Sequence, residues 1–422
     1  MTTGTQKQTP SRPAFWPVVA DRVEELGVPK SLVIDLMLRH IRVQGSSSLG
    51  ALCRTMKLSV AAVENVFQYL RQQQLVDVEG MLGNDYSFRL TTRGRELAAA
   101  RSEMGNYAGP VPVSVEAYYH AVRTQMARPQ INRQQLREAY HDLVVPDSFF
   151  DQLGPALISH RSLFLYGPTG NGKTSVAERI LRIYTDAIVV PYAVNVDGHI
   201  VTLFDPVVHQ EVELSDEYLD PRWIVCRRPC ITVGGELVPS MLELRLDEAT
   251  GVYSAPLQMK ANNGILLIDD FGRQVMSPRE LLNRWIVPLD RRVDYLTLSH
   301  GVKFQIPFEL LVVFSTNLEP RDLADEAFLR RIHTKVYVDS VSPEVFDQIF
   351  MRVVDRSGVP WDPESPAHLR KLCQEYAPAL RACYPVDICD IMASICKYEQ
   401  RPLCIGRNEL DRAAALYFTK NI

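Results

Sequence analysis

The sequence predicts an α/β fold in which a three-layer core with a phosphate-binding loop follows a small N-terminal domain and precedes a helical region. The apolar run Leu163–Tyr166 suits a buried parallel strand. Residues 167–174 then read Gly, four residues, Gly-Lys-Thr, and a helical period begins behind them. Two later apolar runs, within residues 264–272 and 310–317, end in two acids and in an amide, respectively. From residue 339 onward the apolar periodicity is helical.

The composition fits a globular protein. A chain of 422 residues, 46% hydrophobic and 23% charged, is long enough for two or three domains with full cores. The net charge of −4 excludes a globally basic nucleic-acid-binding protein, but not a local basic patch. The eight cysteines lack metal-ligand spacing with histidines, which favours reduced structural thiols. Because no apolar run reaches about 18 residues, we expect a cytoplasmic protein without membrane insertion.

The loop after the first strand matches the Walker A pattern, in which backbone N–H groups surround phosphate oxygens at a helix N-terminus. Lys173 is predicted to reach the β- and γ-phosphates, and the Thr174 hydroxyl to bind magnesium. We therefore expect ATP and Mg²⁺ as ligands. The predicted nucleotide-binding segment consists of Gly167, Pro168, Thr169, Gly170, Asn171, Gly172, Lys173, Thr174 and Ser175.

Two consecutive acids after the next apolar run supply the second half of such a site, the Walker B motif. A strand buried beside the first one would bring Asp269 to the magnesium ion. Asp270 would then polarise the water that attacks the γ-phosphate.

With Asn317 after a third apolar run, and with Arg330 and Arg331 further on, the chain resembles the AAA+ ATPases over roughly residues 131–422. The resemblance implies a ring of identical subunits that hydrolyses the phosphoric anhydride bond of ATP. It also implies that Asn317, as the first sensor, orients the attacking water. Arg331 matches the arginine finger that completes the site of a neighbouring subunit, and Arg330 is the alternative.

A hairpin predicted over residues 293–306, directly before the sensor strand, resembles the pre-sensor-1 hairpin branch of AAA+ proteins, which includes MoxR-type ATPases and magnesium chelatases. The C-terminal helices resemble the AAA+ lid. The second-sensor arginine of that lid is replaced by Val386, and Arg381 is a nearby candidate for its role.

Residues 195–263 exceed what a minimal core needs and carry a basic and aromatic cluster. Two interpretations remain open, an insertion that grips a substrate in the ring pore and an elaborated hairpin that packs between subunits. The cluster consists of Arg222, Trp223, Arg227 and Arg228.

The apolar pattern of residues 29–100 predicts three helices followed by a two-stranded wing. This arrangement resembles a winged helix-turn-helix domain. The outward face of its third helix offers Glu64, Gln68, Arg71 and Gln72, which is not a dense phosphate-binding surface. Docking to a protein is therefore the favoured interpretation, and DNA binding is the alternative.

These observations divide the chain into a disordered tail (1–15), a winged-helix domain (16–103), a linker (104–130), an AAA+ core (131–338) and a helical lid (339–422). The Gly- and Pro-bearing linker would make the N-terminal domain separable from the ATPase. The expected function is Mg-ATP hydrolysis by a ring that remodels or assembles a protein partner, in the manner of a chaperone. The alternatives are a DNA-dependent ATPase or loader, and a slow nucleotide switch.

Overall fold

The structure is a computed structural model. It describes residues 10–82, 85–102, 105–126, 131–214, 218–323, 326–359 and 361–418, without the side chains of Leu82, Ala327 and Phe328. Within these ranges, no helix combines the length and the apolar character that crossing a bilayer requires.

The N-terminal unit, residues 23–102, contains the three helices and the hairpin that the sequence predicted. Its elements are α1 (Lys30–Gln44), β1 (Ser46–Ser48), α2 (Leu49–Met56), α3 (Val60–Gln72), β2 (Val76–Leu82), β3 (Asp85–Leu90) and α4 (Thr92–Ser102). Ser59 begins α3, because its Oγ accepts a hydrogen bond from the Ala62 amide at 3.2 Å. The strands form an antiparallel sheet in the order β1-β3-β2.

A strand and a helix stand where the sequence predicted a linker, β4 (Val113–Ser114) and α5 (Val115–Thr124). Ser114 caps α5 by accepting from the Ala117 amide at 3.1 Å, and the α5 residue Tyr118 is 2% exposed. Part of the predicted tail is also ordered, since Ser11 exchanges backbone hydrogen bonds with Thr185 and Ala187. Residues 1–9 of the predicted tail, and 104 and 127–130 of the predicted linker, lie outside the described residues.

The first half of the core carries the predicted strand, loop and helix. Its elements are α6 (Arg133–Ala139), α7 (Asp147–Ser159), β5 (Leu163–Tyr166) and α8 (Lys173–Arg179). The next elements are β6 (Ala187–Pro191), β7 (Ala193–Val196), β8 (His199–Thr202), β9 (Trp223–Arg227), β10 (Cys230–Val233), β11 (Arg245–Asp247), β12 (Val252–Ser254) and α9 (Leu257–Lys260). Strands β11-β12-β8-β7-β4 form a second sheet, and β6 pairs with β9.

The second half of the core completes a parallel sheet in the order β10-β13-β16-β5-β17. Its elements are β13 (Ile265–Ile268), α10 (Pro278–Arg284), α11 (Ile286–Arg291), β14 (Val293–Thr297), β15 (Lys303–Pro307), β16 (Leu311–Thr316), α12 (Pro320–Leu323), α13 (Glu326–Leu329) and β17 (Thr334–Tyr337). Alternate strand residues enter two apolar clusters, with Leu165 packing on one face and Phe164 on the other. Helices cover both faces, which gives the predicted three layers.

The lid, residues 341–418, contains α14 (Pro343–Ser357), α15 (Ser365–Tyr376), α16 (Tyr384–Tyr398) and α17 (Arg407–Tyr417). Its apolar cluster includes Phe346, Phe350, Leu369, Ile388 and Leu410, and every member of that cluster comes from the lid itself. The lid is therefore a separate packing unit.

Three of the four members of the basic and aromatic cluster are buried and Arg227 is half-buried, which corrects the interpretation that the cluster grips a substrate. Arg222, Trp223 and Arg228 are 5%, 4% and 4% exposed. The Arg222 guanidinium pairs with Asp220 at 2.7 Å and donates to the Leu26 carbonyl at 2.8 Å. These arginines join segments within one chain, because a buried guanidinium needs acceptors on several sides.

The hairpin β14–β15, predicted before the sensor strand, packs along the second sheet. Leu296, Leu298 and Ile306 share an apolar cluster with β7 and β8. At the hairpin tip, Ser299 Oγ lies 2.5 Å from the Tyr253 hydroxyl of β12. The His300 ring contacts the His199 ring, with centroids 4.5 Å apart. Both ends of the hairpin are therefore fixed.

Candidate nucleotide-binding site

Three neighbouring strands end at the same edge of the core sheet. β16 lies between β13 and β5, and the registers pair Ile268 with Phe314 and Thr316 with Tyr166. All three strands are parallel, so the residues that follow them meet at one edge. The predicted site residues Gly167, Asp269 and Asn317 are the residues that follow, and Asn317 is half-buried.

The Walker A loop wraps closely around the side chain of Lys173. Lys173 is 9% exposed, and its ammonium donates to the carbonyls of Gly167 and Pro168, both at 2.9 Å. Burial lowers the pKa of Lys173 below its ordinary value. A phosphate at this position would replace carbonyl oxygens with charged oxygens as acceptors, which strengthens the hydrogen bonds of an ammonium.

Two predicted magnesium ligands are in direct contact. Thr174 Oγ1 donates to Asp269 Oδ2 at 2.8 Å, so a hydroxyl and a carboxylate face one point beside the loop. Magnesium takes oxygen ligands and keeps most of its shell for water and phosphate, which fits this pair of residues.

The turn after β13 presents Asp270 beside this pair. The Asp270 amide donates to Asp269 Oδ1 at 3.0 Å, and Asp270 adopts a left-handed conformation with φ of 48°. Its side chain is exposed. Gln274 holds the turn by donating to the Asp269 carbonyl at 2.8 Å, a contact that no sequence pattern indicated.

The loop before α16 contacts the Walker A loop through three consecutive residues. Arg381 Nη1 donates to Thr169 Oγ1 at 3.3 Å, and the Ala382 amide donates to Asn171 Oδ1 at 3.2 Å. The Cys383 amide donates to the Gly170 carbonyl at 2.9 Å.

Val386, at the position of the second sensor, lies in the first turn of α16 and is 40% exposed. Arg381 is instead the lid arginine that reaches the loop. Sequence reasoning named it only as a nearby candidate.

Arg330 and Arg331 lie at the opposite edge of the sheet from the loop. They precede β17, whose first residue Thr334 is paired with Leu163, the first residue of β5. The four residues of β5 separate this edge from the Walker A loop by about 13 Å. Arg331 Nε donates to Asp290 Oδ2 at 3.0 Å, and Arg330 is exposed. One chain therefore does not bring either arginine to its own loop.

Strand order and site together define a P-loop NTPase fold of the AAA+ type, as the sequence predicted. The parallel order β10-β13-β16-β5-β17 places the loop strand between the sensor strand and the last strand, and the acids follow the strand beyond the sensor. Helices cover both faces of this sheet, and a helical region follows it.

The comparisons with known proteins add little beyond the fold. A family model described as a domain of unknown function, DUF8689, matches residues 342–416 within the lid. Among curated proteins, none matches the sequence.

Among the solved structures similar to this chain are those of RuvB from Thermotoga maritima. Its Holliday junction branch migration motor has a TM-score of 0.38 and 12% identity, over 64% of this chain and 69% of that chain. Two RuvB point mutants have TM-scores of 0.39 and 0.40 at 11% identity, with the same coverage. A likeness at these values carries no argument, and the fold is defined by the strand order and the site geometry.

Proposed function

We propose that this protein binds and hydrolyses Mg-ATP and assembles as a ring of identical subunits that remodels or assembles a protein partner. The observation that carries the proposal is the convergence at one sheet edge of Lys173, the Thr174–Asp269 pair and Asp270. Each of these side chains has a distinct task in phosphoryl transfer to water.

Lys173 binds the β- and γ-phosphates and neutralises their charge. Thr174 and Asp269 would hold the magnesium ion, which when bound neutralises phosphate charge and orients the oxygens. Asp270 accepts a proton from the attacking water or polarises it, and Asn317 orients that water. Arg381 supplies a lid contact to the loop in place of the second sensor, so lid position follows the nucleotide.

The placement of Arg331 supports the proposed ring. Charge that develops on the γ-phosphoryl oxygens is stabilised by a guanidinium, and such a finger accelerates hydrolysis by about 10³- to 10⁵-fold. Arg331 lies at the far edge of its own sheet, so in the proposed assembly a second copy supplies it through a head-to-tail contact, and such contacts close into a ring. The hairpin directly before β16 supports the pre-sensor-1 hairpin branch.

A protein is the proposed partner of the N-terminal unit, whose three helices and hairpin support the proposal of a winged helix. The exposed face of α3 carries one basic residue, Arg71, beside Glu64, Asn65, Gln68 and Gln72. Such a face lacks the density of cations that phosphate contacts need.

The first experiment compares Lys173→Ala with Asp270→Asn. Lys173→Ala should abolish binding of a fluorescent ATP analogue, because the loop loses the cation that pairs with the phosphates. Asp270→Asn should bind the analogue with unchanged affinity and hydrolyse ATP about 10²- to 10⁴-fold more slowly, since an amide is not a base. Asp322→Asn, an exposed acid in α12 at the same edge, is the matched control and should retain full turnover.

Unchanged analogue binding by Lys173→Ala would refute the site, and full turnover by Asp270→Asn would move the base elsewhere. Stimulation of hydrolysis by duplex DNA, with a salt-dependent affinity, would support the DNA-dependent alternative. Turnover far below about 1 s⁻¹ without a stimulating partner would support the nucleotide switch.

A further inference from the structure

The residue proposed to act on the neighbouring subunit is held at several points. The carbonyl oxygen of Arg331 accepts hydrogen bonds from Ser162 Oγ at 3.1 Å and from His333 Nδ1 at 2.9 Å. The next residue, Ile332, is fully buried in the core. The backbone of the turn before β17 is therefore fixed to the base of the loop strand.

The side chain of Arg331 is fixed by a different element. Its Nε donates to Asp290 Oδ2 at 3.0 Å, and Asp290 is in the last turn of α11. The side chains of Arg331 and Asp290 are 18% and 44% exposed, so the pair is at the surface but partly shielded from water. A carboxylate that holds Nε restricts the plane of the guanidinium, and an arginine pre-organised in this way loses less freedom when it binds phosphate.

The nearby cation, Arg161, contacts the turn before β17 through His333. Arg161 Nη1 lies 2.5 Å from His333 Nε2. Because an arginine only donates, Nε2 accepts and Nδ1 carries the proton that is donated to the Arg331 carbonyl. Arg161 thus supports the backbone of the turn, and Asp290 supports the side chain.

We propose that Asp290 is a positioning residue for the trans-acting Arg331, an inference that rests on the proposed function. Asp290 acts on hydrolysis in the neighbouring subunit, although it is remote from the loop of its own subunit. Misplacement of a catalytic group by about 1 Å can cost about 10²-fold in rate. Loss of Asp290 should therefore lower kcat between about tenfold and 10²-fold and leave KM for ATP unchanged.

Mixed oligomers separate this role from a merely structural one. An Asp290→Ala subunit keeps an intact loop, and a Lys173→Ala subunit keeps an intact Asp290–Arg331 pair. When the two are mixed, some interfaces combine both intact groups, so turnover per intact loop should rise above that of Asp290→Ala alone. The reference is the mixture of Arg331→Ala with Lys173→Ala, which should show the same recovery.

Two further variants test the route through Arg331. The double variant Asp290→Ala/Arg331→Ala should be no slower than Arg331→Ala, since Asp290 has no other means of action. Asp290→Asn, which retains an oxygen acceptor, should be intermediate in kcat. Asp147→Ala breaks an exposed ion pair with Arg137 elsewhere in the core and should keep wild-type turnover.

The outcomes are distinguishable. Wild-type kcat in Asp290→Ala would overturn the inference, as would a lack of recovery in oligomers shown to be mixed while the Arg331→Ala reference recovers. A change in KM with unchanged kcat would also overturn it. If wild-type protein does not hydrolyse ATP, or if Arg331→Ala is not rescued, the proposed function itself fails and the inference fails with it.

Discussion

The N-terminal unit and the lid flank the same α/β core but are attached to the rest of the chain by different forces. The apolar cluster of the N-terminal unit extends into the second sheet through Ala193, Ile200 and Val252. The lid has its own cluster, and its hydrogen bonds to the Walker A loop come from residues 381–383. Apolar burial is lost only by exposing surface to water, whereas hydrogen bonds can be exchanged with a ligand. The lid is thus the unit whose attachment can change without exposing its apolar cluster.

The buried guanidinium of Arg222 reinforces the first attachment. It donates to the Leu26 carbonyl of the N-terminal unit at 2.8 Å and to the Pro112 carbonyl before β4 at 3.3 Å. Three segments far apart in sequence therefore share one buried cation. The N-terminal unit is expected to move together with the second sheet.

Deleting either unit should have the largest effect on solubility and on cooperative unfolding. Removal of residues 1–103 should yield insoluble or non-cooperatively unfolding protein, because the deletion exposes the apolar face of the second sheet and removes an acceptor of Arg222. Removal of residues 342–422 should leave a soluble core with a cooperative transition and weakened ATP binding. Circular dichroism during thermal unfolding measures both. A cooperative transition in the N-terminally truncated chain would contradict the idea that the core depends on the N-terminal unit. It would instead favour the separable domain that the sequence predicted.

A single buried ion pair should produce the next largest effect. Arg222→Ala leaves the Asp220 carboxylate buried without its partner and should lower the free energy of unfolding by about 3–5 kcal/mol. The matched change in the lid, Arg407→Ala, breaks an exposed pair with Glu364 and should not measurably change stability. Urea denaturation of both variants provides the measurement. Equal effects would mean that the buried pair of Arg222 contributes no more to stability than an exposed pair does.

Two glycines of the Walker A loop test whether the lid loop is docked on Gly170. Gly170 and Gly172 both have φ of 81°, but a Cβ on Gly170 would lie 2.7 Å from Cys383 Sγ, whereas on Gly172 its nearest neighbour would be 4.0 Å away. Gly170→Ala should therefore displace the lid loop, and Gly172→Ala should not. Hydrogen exchange of the Cys383 amide should quicken about fivefold or more in the first variant alone, as expected for loss of a hydrogen bond of about 1 kcal/mol. Equal exchange in both variants would contradict a lid docked on Gly170.

The fold class could be predicted from the sequence because the information is local. An apolar strand, a Gly-rich loop and a helix follow one another around Lys173, and short apolar runs lead to Asp269 and Asn317. The starts of helices could also be predicted from local sequence. The sequence Ser-Pro-Arg-Glu at residues 277–280 has the pattern of a capping box. In the structure Ser277 and Glu280 form that box, with the Glu280 amide 3.3 Å from Ser277 Oγ.

The attachments could not be predicted, since they depend on pairings between distant residues. Val113 pairs with Val194 in the second sheet, and nothing around Val113 specifies that partner. In the sequence, Arg222 cannot be told from a solvated arginine beside an aromatic ring. Its burial depends on acceptors that come from distant parts of the chain. The sequence shows that Val386 stands where relatives have the second-sensor arginine. It does not show that Arg381 contacts Thr169 instead, because that contact depends on how the lid packs.

The hairpin β14–β15 has a mechanical consequence. A hairpin anchored only at its base bends freely at its tip, as a cantilever does. Here the base continues through Phe308 into the sensor strand, and the tip is joined to the second sheet by Ser299 and Tyr253. A rod held at both ends transmits displacement along its length. A shift of the sensor strand would therefore reach the second sheet, and the N-terminal unit packed on that sheet, as a push or a pull along one axis.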